Sequence, residues 1–101
     1  WDHNHLQIDG NNDDVMSLGD LEGKLRSFGY HVIVINGNDM QQVMNALNED
    51  SKGKPKAILA ETIKGKGVSF MENQVGWHGN APSAEQAEAA LAELKGGNSN
   101  G

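Results

Sequence analysis

The opening decapeptide Trp1-Asp-His-Asn-His-Leu-Gln-Ile-Asp-Gly10 packs imidazoles, carboxylates and an amide into very few residues. His3 and His5 are two apart, so on a strand they point the same way and offer two ligands to a transition metal. The sequence names no third ligand, and a closed or catalytic site of that kind needs at least three. Asp9, Asn11 and Asp13 fall at positions one, three and five of a calcium-loop pattern. That pattern demands glycine at the sixth position and glutamate at the twelfth, where this chain has Asp14 and Asp20. Further along, Lys64 and Lys66 alternate with Gly65 and Gly67, an arrangement in which backbone amides can approach an anion. The spacing is not that of a phosphate-binding P-loop, so the lysines read as loop residues at the edge of a site. The run Lys52, Lys54, Lys56 reads as a solvated turn, and His31, at a strand start, as structural.

These groups need elements to hold them. Leu18, Leu21, Leu25 and Phe28 recur at helical spacing, which predicts a helix over 17–28 with Ser17 as N-cap and Gly29 as stop. The β-branched run from His31 to Ile35, bounded by Gly29 and Asn36-Gly37, predicts a strand buried on both faces and paired in parallel. Asp39, with Gln42 as its capping-box partner, opens a helix with Met40, Val43, Met44 and Leu47 along one face, a stripe that reads as core packing. A second buried strand follows at Ala57–Ala60. After Thr62 comes a glycine-rich segment holding Phe70, Trp77 and His78, the kind of long loop that carries function. Pro82, Ser83 and Gln86 open a last helix with Ala87, Ala90, Leu91 and Leu94 on one face. Residues 96–101 read as a disordered tail.

Composition narrows the classes. The 101 residues suit one small domain, and the 21 that are Leu, Ile, Val or Phe make a thin core. A net charge of −6 argues against neutralising a row of phosphates, hence against nonspecific nucleic-acid binding. The chain has no cysteine, and no apolar run of membrane-spanning length, so a soluble cytoplasmic protein is expected. It starts at Trp1 and reads as a piece of something longer, weakly stable on its own.

Asp2-His-Asn-His-Leu-Gln-Ile-Asp-Gly10 resembles the closing half of the thiamine diphosphate motif of transketolases. "LRSFGYHVIVINGND", ending in the turn Gly37-Asn38-Asp39, and "KPKAILAETIKGKGVSFMENQVGWHGNAP" are similar to the small N-terminal subunit of split transketolases. The resemblance runs from Asp2 to about Leu94. It implies an α/β fold: part of a thiamine diphosphate-binding domain, a small parallel sheet flanked by helices and truncated at its N-terminal side. Residues 1–95 would form the C-terminal part of that domain, with the first strand before Trp1.

The implied function is transfer of a two-carbon ketol unit from a ketose phosphate to an aldose phosphate. The implied cofactors are thiamine diphosphate and a divalent metal, Mg2+ or else Ca2+ or Mn2+. By the same resemblance Asn4 gives the metal a side-chain oxygen and Leu6 a backbone carbonyl, while Ile8 packs near the cofactor. His78, in the turn His78-Gly79-Asn80-Ala81-Pro82, faces the diphosphate and the donor substrate, and is both the catalytic and a cofactor-binding residue. Implied partners are the rest of the diphosphate-binding domain, with its upstream Gly-Asp-Gly carboxylate, and a pyrimidine-binding subunit or domain that carries the activating glutamate. Trp77 would shield the site from water or anchor a neighbouring chain. The alternative is a catalytically silent assembly module or truncated remnant, motivated by the missing Gly-Asp-Gly and by His3 and His5 where other residues are more familiar.

Overall fold

The computed structural model describes residues 1–97. The elements are β1 (Asp2–His3), β2 (Leu6–Gln7), β3 (Gly10–Asn11), α1 (Asn12–Val15), α2 (Leu21–Ser27), β4 (His31–Asn36), α3 (Met40–Asn48), β5 (Lys56–Glu61), a 3-10 turn (Val75–Trp77) and α4 (Ala84–Gly97). β4 and β5 pair in parallel from His31 opposite Lys56 to Asn36 opposite Glu61, as two short strands joined through a crossover helix do. A third strand, Asp2–His3, pairs in parallel with the end of β5, giving the order β1-β5-β4. β2 and β3 form a separate antiparallel hairpin. The result is the small parallel sheet flanked by helices that the sequence implies.

Helix α2 is shorter than the periodicity predicts. Asp20, not Ser17, caps it, its carboxylate accepting from the Gly23 amide at 3.0 Å. The Ser17 hydroxyl instead donates to Asp13 and accepts from the Gly19 amide, and Gly19, at φ +61°, cannot continue a right-handed helix. Leu21 and Leu25 face the sheet, whereas Phe28 sits at the C-cap, 79% exposed. With Val32 and Leu59 they form the core, joined by Leu18 and Ala57. The pairing explains the set: Val32 stands opposite Ala57 and Val34 opposite Leu59, so these side chains share one face of the pleat.

Asp39 caps α3 as expected, through the amides of Gln41 and Gln42. Gln42 completes the turn differently from a capping box, since its carbonyl oxygen accepts from the Asn36 amide and its amide donates to Asp39. The stripe of Met40, Met44 and Leu47 is not core. All three are exposed, Met40 by 70%, and the helix is buried instead through Ala46, 2% exposed. A three-stranded sheet is too narrow to cover the whole apolar face, and the small Ala46 side chain allows close approach. Lys56 fixes the C-terminal turn by donating to the carbonyls of Ala46 and Leu47. β4 likewise is not buried throughout, for Val34 stands exposed.

The capping box at the last helix forms as read: Ser83 Oγ accepts from the Gln86 amide and Gln86 Oε1 from the Ser83 amide. Of the face expected to pack, only Ala90 is buried, with Leu91 and Leu94 exposed. α4 runs through Gly96 and Gly97, the first two residues of the expected tail; residues 98–101 lie outside the described residues.

The chain is extended for its size. Its radius of gyration is 16.4 Å, against about 13 Å for a compact domain of this length. Its accessible surface is 7070 Å², against about 5,500 Å² by the usual scaling with mass. The Leu21–Leu25–Val32–Leu59 cluster holds half of the eight buried apolar side chains among the described residues. Leu59→Ala is expected to cost about 2–4 kcal/mol in urea unfolding, and Met44→Ala less than about 0.5 kcal/mol.

Candidate functional site

β1 ends at His3, and the chain leaves the sheet through a tight turn. Asn4 Oδ1 accepts from the Leu6 amide at 3.0 Å, and His5 takes the left-handed conformation at φ +64°. β1 is held to β5 by the amide of Ala60 donating to Trp1 O and that of Thr62 to His3 O. The Thr62 hydroxyl also donates to the Asp2 carboxylate. The turn thus opens at the carboxyl ends of the parallel strands, where ligands of open α/β sheets bind.

The glycine-rich segment comes back to this edge. Gly37, after β4, has no room for a side chain, since a Cβ would lie 2.6 Å from Thr62 Cγ2 and 2.7 Å from Ala60 Cβ. The neighbouring Asn38 accepts from the Ile63 amide and fixes the exit from β5. Gly65, at φ +73°, lets the chain pass against the Met71 carbonyl, and the Asn73 amide donates to Lys64 O. The 3-10 turn then presents His78, whose amide donates to Val75 O at 2.9 Å.

Asp2, Asn4, Leu6, Gln7, Ile8, Lys64, Val75 and His78 line one cavity of about 270 Å³. Asn4, Leu6 and Ile8 therefore meet His78, which is distant in sequence, at a single place. Ile8 is 71% exposed, so it lies as an apolar surface and not as a core residue. Lys64 brings a cation into the cavity, while Lys66 lines a neighbouring one with His5, Asn38, Glu61 and Thr62. Trp77 does not line the His78 cavity. Its indole donates to Phe70 O and its ring lies 5.8 Å from that of Phe70, bordering a separate cavity with Gln86 and Ala89.

The opening segment serves two sides, with Asp2, Asn4, Leu6, Gln7 and Ile8 on the cavity just described. His3 and His5 face Glu61, whose Oε1 and Oε2 lie 2.7 Å from His3 Nδ1 and His5 Nε2. Partial burial works against the Glu61 carboxylate, but hydrogen bonds and charge from the two histidines outweigh it and hold its pKa below the ordinary value. Glu61 is the residue that sequence reasoning misses. The only signal for it is its position at the end of a strand that must pair with the one before Asn4. The calcium-loop positions are otherwise engaged, Asn11 as N-cap of α1 and Asp13 as acceptor for Ser17. His31 bonds Glu49 at 2.6 Å, the structural role expected of it.

The donor set fits a diphosphate and its cation. Asn4 offers an amide oxygen with a lone pair beyond its bond to Leu6, and oxygen donors suit Mg2+. The ammonium of Lys64 and the imidazole of His78 line the same cavity, and both are groups able to donate to phosphate oxygens.

The arrangement is that of a cofactor-binding α/β domain, and the comparisons with known proteins name the family. Residues 1–98 match the family model described as transketolase, thiamine diphosphate binding domain. The chain is 38% identical over 95 residues to one of the subunits of the apulose-4-phosphate transketolase of Phocaeicola vulgatus, covering 92% of this chain and 34% of that protein. It is 41% identical over 96 residues to the 6-deoxy-6-sulfo-D-fructose transketolase subunit SqwG of a Clostridium species, covering 93% and 35%. Against human transketolase the identity is 31% over 71 residues, 70% of this chain and 11% of that protein. The chain belongs to the transketolase thiamine diphosphate-binding domain family. It spans about a third of the length of the two subunits it matches. No helix of the described residues is long and apolar enough to cross a membrane.

The segment that carries Lys64 and His78 is docked on α4 through Glu93, which accepts from the Ser69 amide at 2.6 Å and the Ser69 hydroxyl at 2.8 Å. Those bonds hold the Glu93 carboxyl below its ordinary value of 4.5. A depressed carboxylate stabilises the fold above its ordinary value, and that contribution disappears as pH falls through the lowered one. The Ser69 amide resonance is accordingly expected to titrate below pH 4.5 and to stop doing so in Glu93→Gln, as measured by NMR.

Proposed function

We propose that this chain supplies part of the cofactor site of a cytoplasmic transketolase, which moves a two-carbon ketol unit from a ketose phosphate to an aldose phosphate. The observation that carries this reading is the convergence of Asn4, Leu6, Ile8, Lys64 and His78 on one cavity at the carboxyl edge of the sheet. The family supports it. So does the range of sugars in the relatives' names, apulose 4-phosphate and 6-deoxy-6-sulfo-D-fructose, because a stretch shared among them suits the common cofactor better than the choice of sugar.

Bound thiamine diphosphate supplies the nucleophilic carbon that takes up the ketol unit, with Mg2+, Ca2+ or Mn2+ neutralising its diphosphate. Asn4 Oδ1 and the Leu6 carbonyl would hold that cation. A carboxylate from the Gly-Asp-Gly of the remaining diphosphate-binding domain would complete the oxygen set. Lys64 places a positive charge beside the diphosphate, and Ile8 offers an apolar contact that keeps water from the cofactor ring. His78 donates from its imidazole to a phosphate oxygen or carries a proton to and from a substrate hydroxyl, work for which the two ring nitrogens of an imidazole, one donor and one acceptor, are suited. The pyrimidine-binding subunit or domain closes the site from the other side, in keeping with relatives that are themselves named as subunits.

In the reconstituted enzyme, Asn4→Ala is expected to raise the Mg2+ requirement at least about tenfold. His78→Ala is expected to lower kcat about a hundredfold or more. Steady-state ketol-transfer assays across Mg2+ and substrate concentrations read both, and normal kinetics in both variants would sink the proposal.

A further inference from the structure

The cluster on the other side of the opening segment is not used by the cofactor reading. His3 and Glu61 are register partners at the ends of β1 and β5, so the pairing itself sets their side chains together. His5 joins them because its left-handed backbone, φ +64°, swings its ring to within 4.0 Å of that of His3. A non-glycine residue rarely adopts that conformation, and it persists where the surroundings demand it. The ligand atoms of all three residues lie within 4.8 Å of one another.

We propose that His3, His5 and Glu61 bind a transition-metal dication of the Zn2+ class, at a site separate from the oxygen donors of Asn4 and Leu6. Two imidazoles and a carboxylate are a three-ligand zinc set that leaves further coordination to water. Imidazole nitrogen favours zinc over magnesium, so the two sites select different metals by ligand chemistry. The spacing is within reach of what a zinc ion needs. Ligands at about 2.0–2.2 Å from a tetrahedral zinc stand about 3.3–3.6 Å from one another, whereas the two nitrogen–oxygen distances here are 2.7 Å. The carboxylate has to retreat by somewhat less than about 1 Å. Each neutral imidazole presents a lone pair by carrying its proton on the opposite nitrogen, His3 on Nε2 and His5 on Nδ1. His5 and Glu61 also border the cavity shared with Asn38, Thr62 and Lys66, which gives water access to the remaining positions. Bound there, the metal would tie β1 to β5 beside the turn that carries Asn4.

The test is titration of the purified, folded chain with ZnCl2 in competition with a chromophoric chelator. One Zn2+ per chain is expected, weakened more than about tenfold in each of His3→Ala, His5→Ala and Glu61→Gln, and unchanged in His31→Ala. In the unmodified chain, Zn2+ should move the ring-proton NMR signals of His3 and His5 while leaving those of His31 and His78. That readout needs no variant, so a misfolded substitution cannot obscure it. Excess Mg2+ should not displace the ion. Unmoved His3 and His5 signals, folded variants that bind as tightly as the original, or displacement by Mg2+ would each overturn the site and leave the cluster as a hydrogen-bonded clamp.

Discussion

β5 lies between β1 and β4, and the parallel pairing on its two sides places both groups of polar residues. On one side it runs six residues in step with β4, which aligns the Leu59–Val32 face against α2 and supplies the core. On the other it holds two residues of β1, and so decides where the opening segment leaves the sheet. The pairing with β1 is short, but it is reinforced by Thr62, which bonds Asp2 through its hydroxyl and His3 through its amide. The Asn4 turn starts one residue beyond that anchor.

The short β1 strand and the turn after it, with His5 left-handed at φ +64°, then sort the chemistry. Asp2, Asn4, Leu6 and Ile8 reach one cavity, and His3 and His5 reach Glu61. A stretch only a few residues long thus presents oxygen donors to one side and nitrogen donors to the other, although the local backbone is a turn and a two-residue hairpin instead of a continuous strand. The glycine-rich segment closes the first cavity from across the sheet edge. Its path depends on left-handed glycines such as Gly65 and on Glu93 of α4, which fastens Ser69.

How much of this is legible in the sequence depends on the range of the interaction involved. The strands of the parallel pair, the Asp39 cap and the Ser83–Gln86 box are local, and the residues spell them out. Asn4, Leu6, Ile8 and His78 are singled out by resemblance, and all four line one cavity in the structure. Periodicity misplaces the start of helix α2 because Ser17 and Asp20 are both good caps, and only the left-handed Gly19 between them decides for Asp20. The Met40–Leu47 stripe misleads because amphipathicity marks which face is apolar, not whether the sheet is wide enough to cover it. Glu61 cannot be found at all from spacing. It lies 56 residues from His5, and only the β1–β5 register joins them.

Whether the Asn4–Leu6 turn and His78 hold a metal-bound diphosphate is tested most directly by calorimetric titration of thiamine diphosphate with Mg2+ into this chain assembled with the remaining diphosphate-binding domain and a pyrimidine-binding subunit. Saturable binding is expected that depends on Mg2+, is lost when this chain is omitted, and is weakened when Asn4 is replaced by alanine. Binding of equal strength without this chain, or with Asn4→Ala in its place, would contradict it.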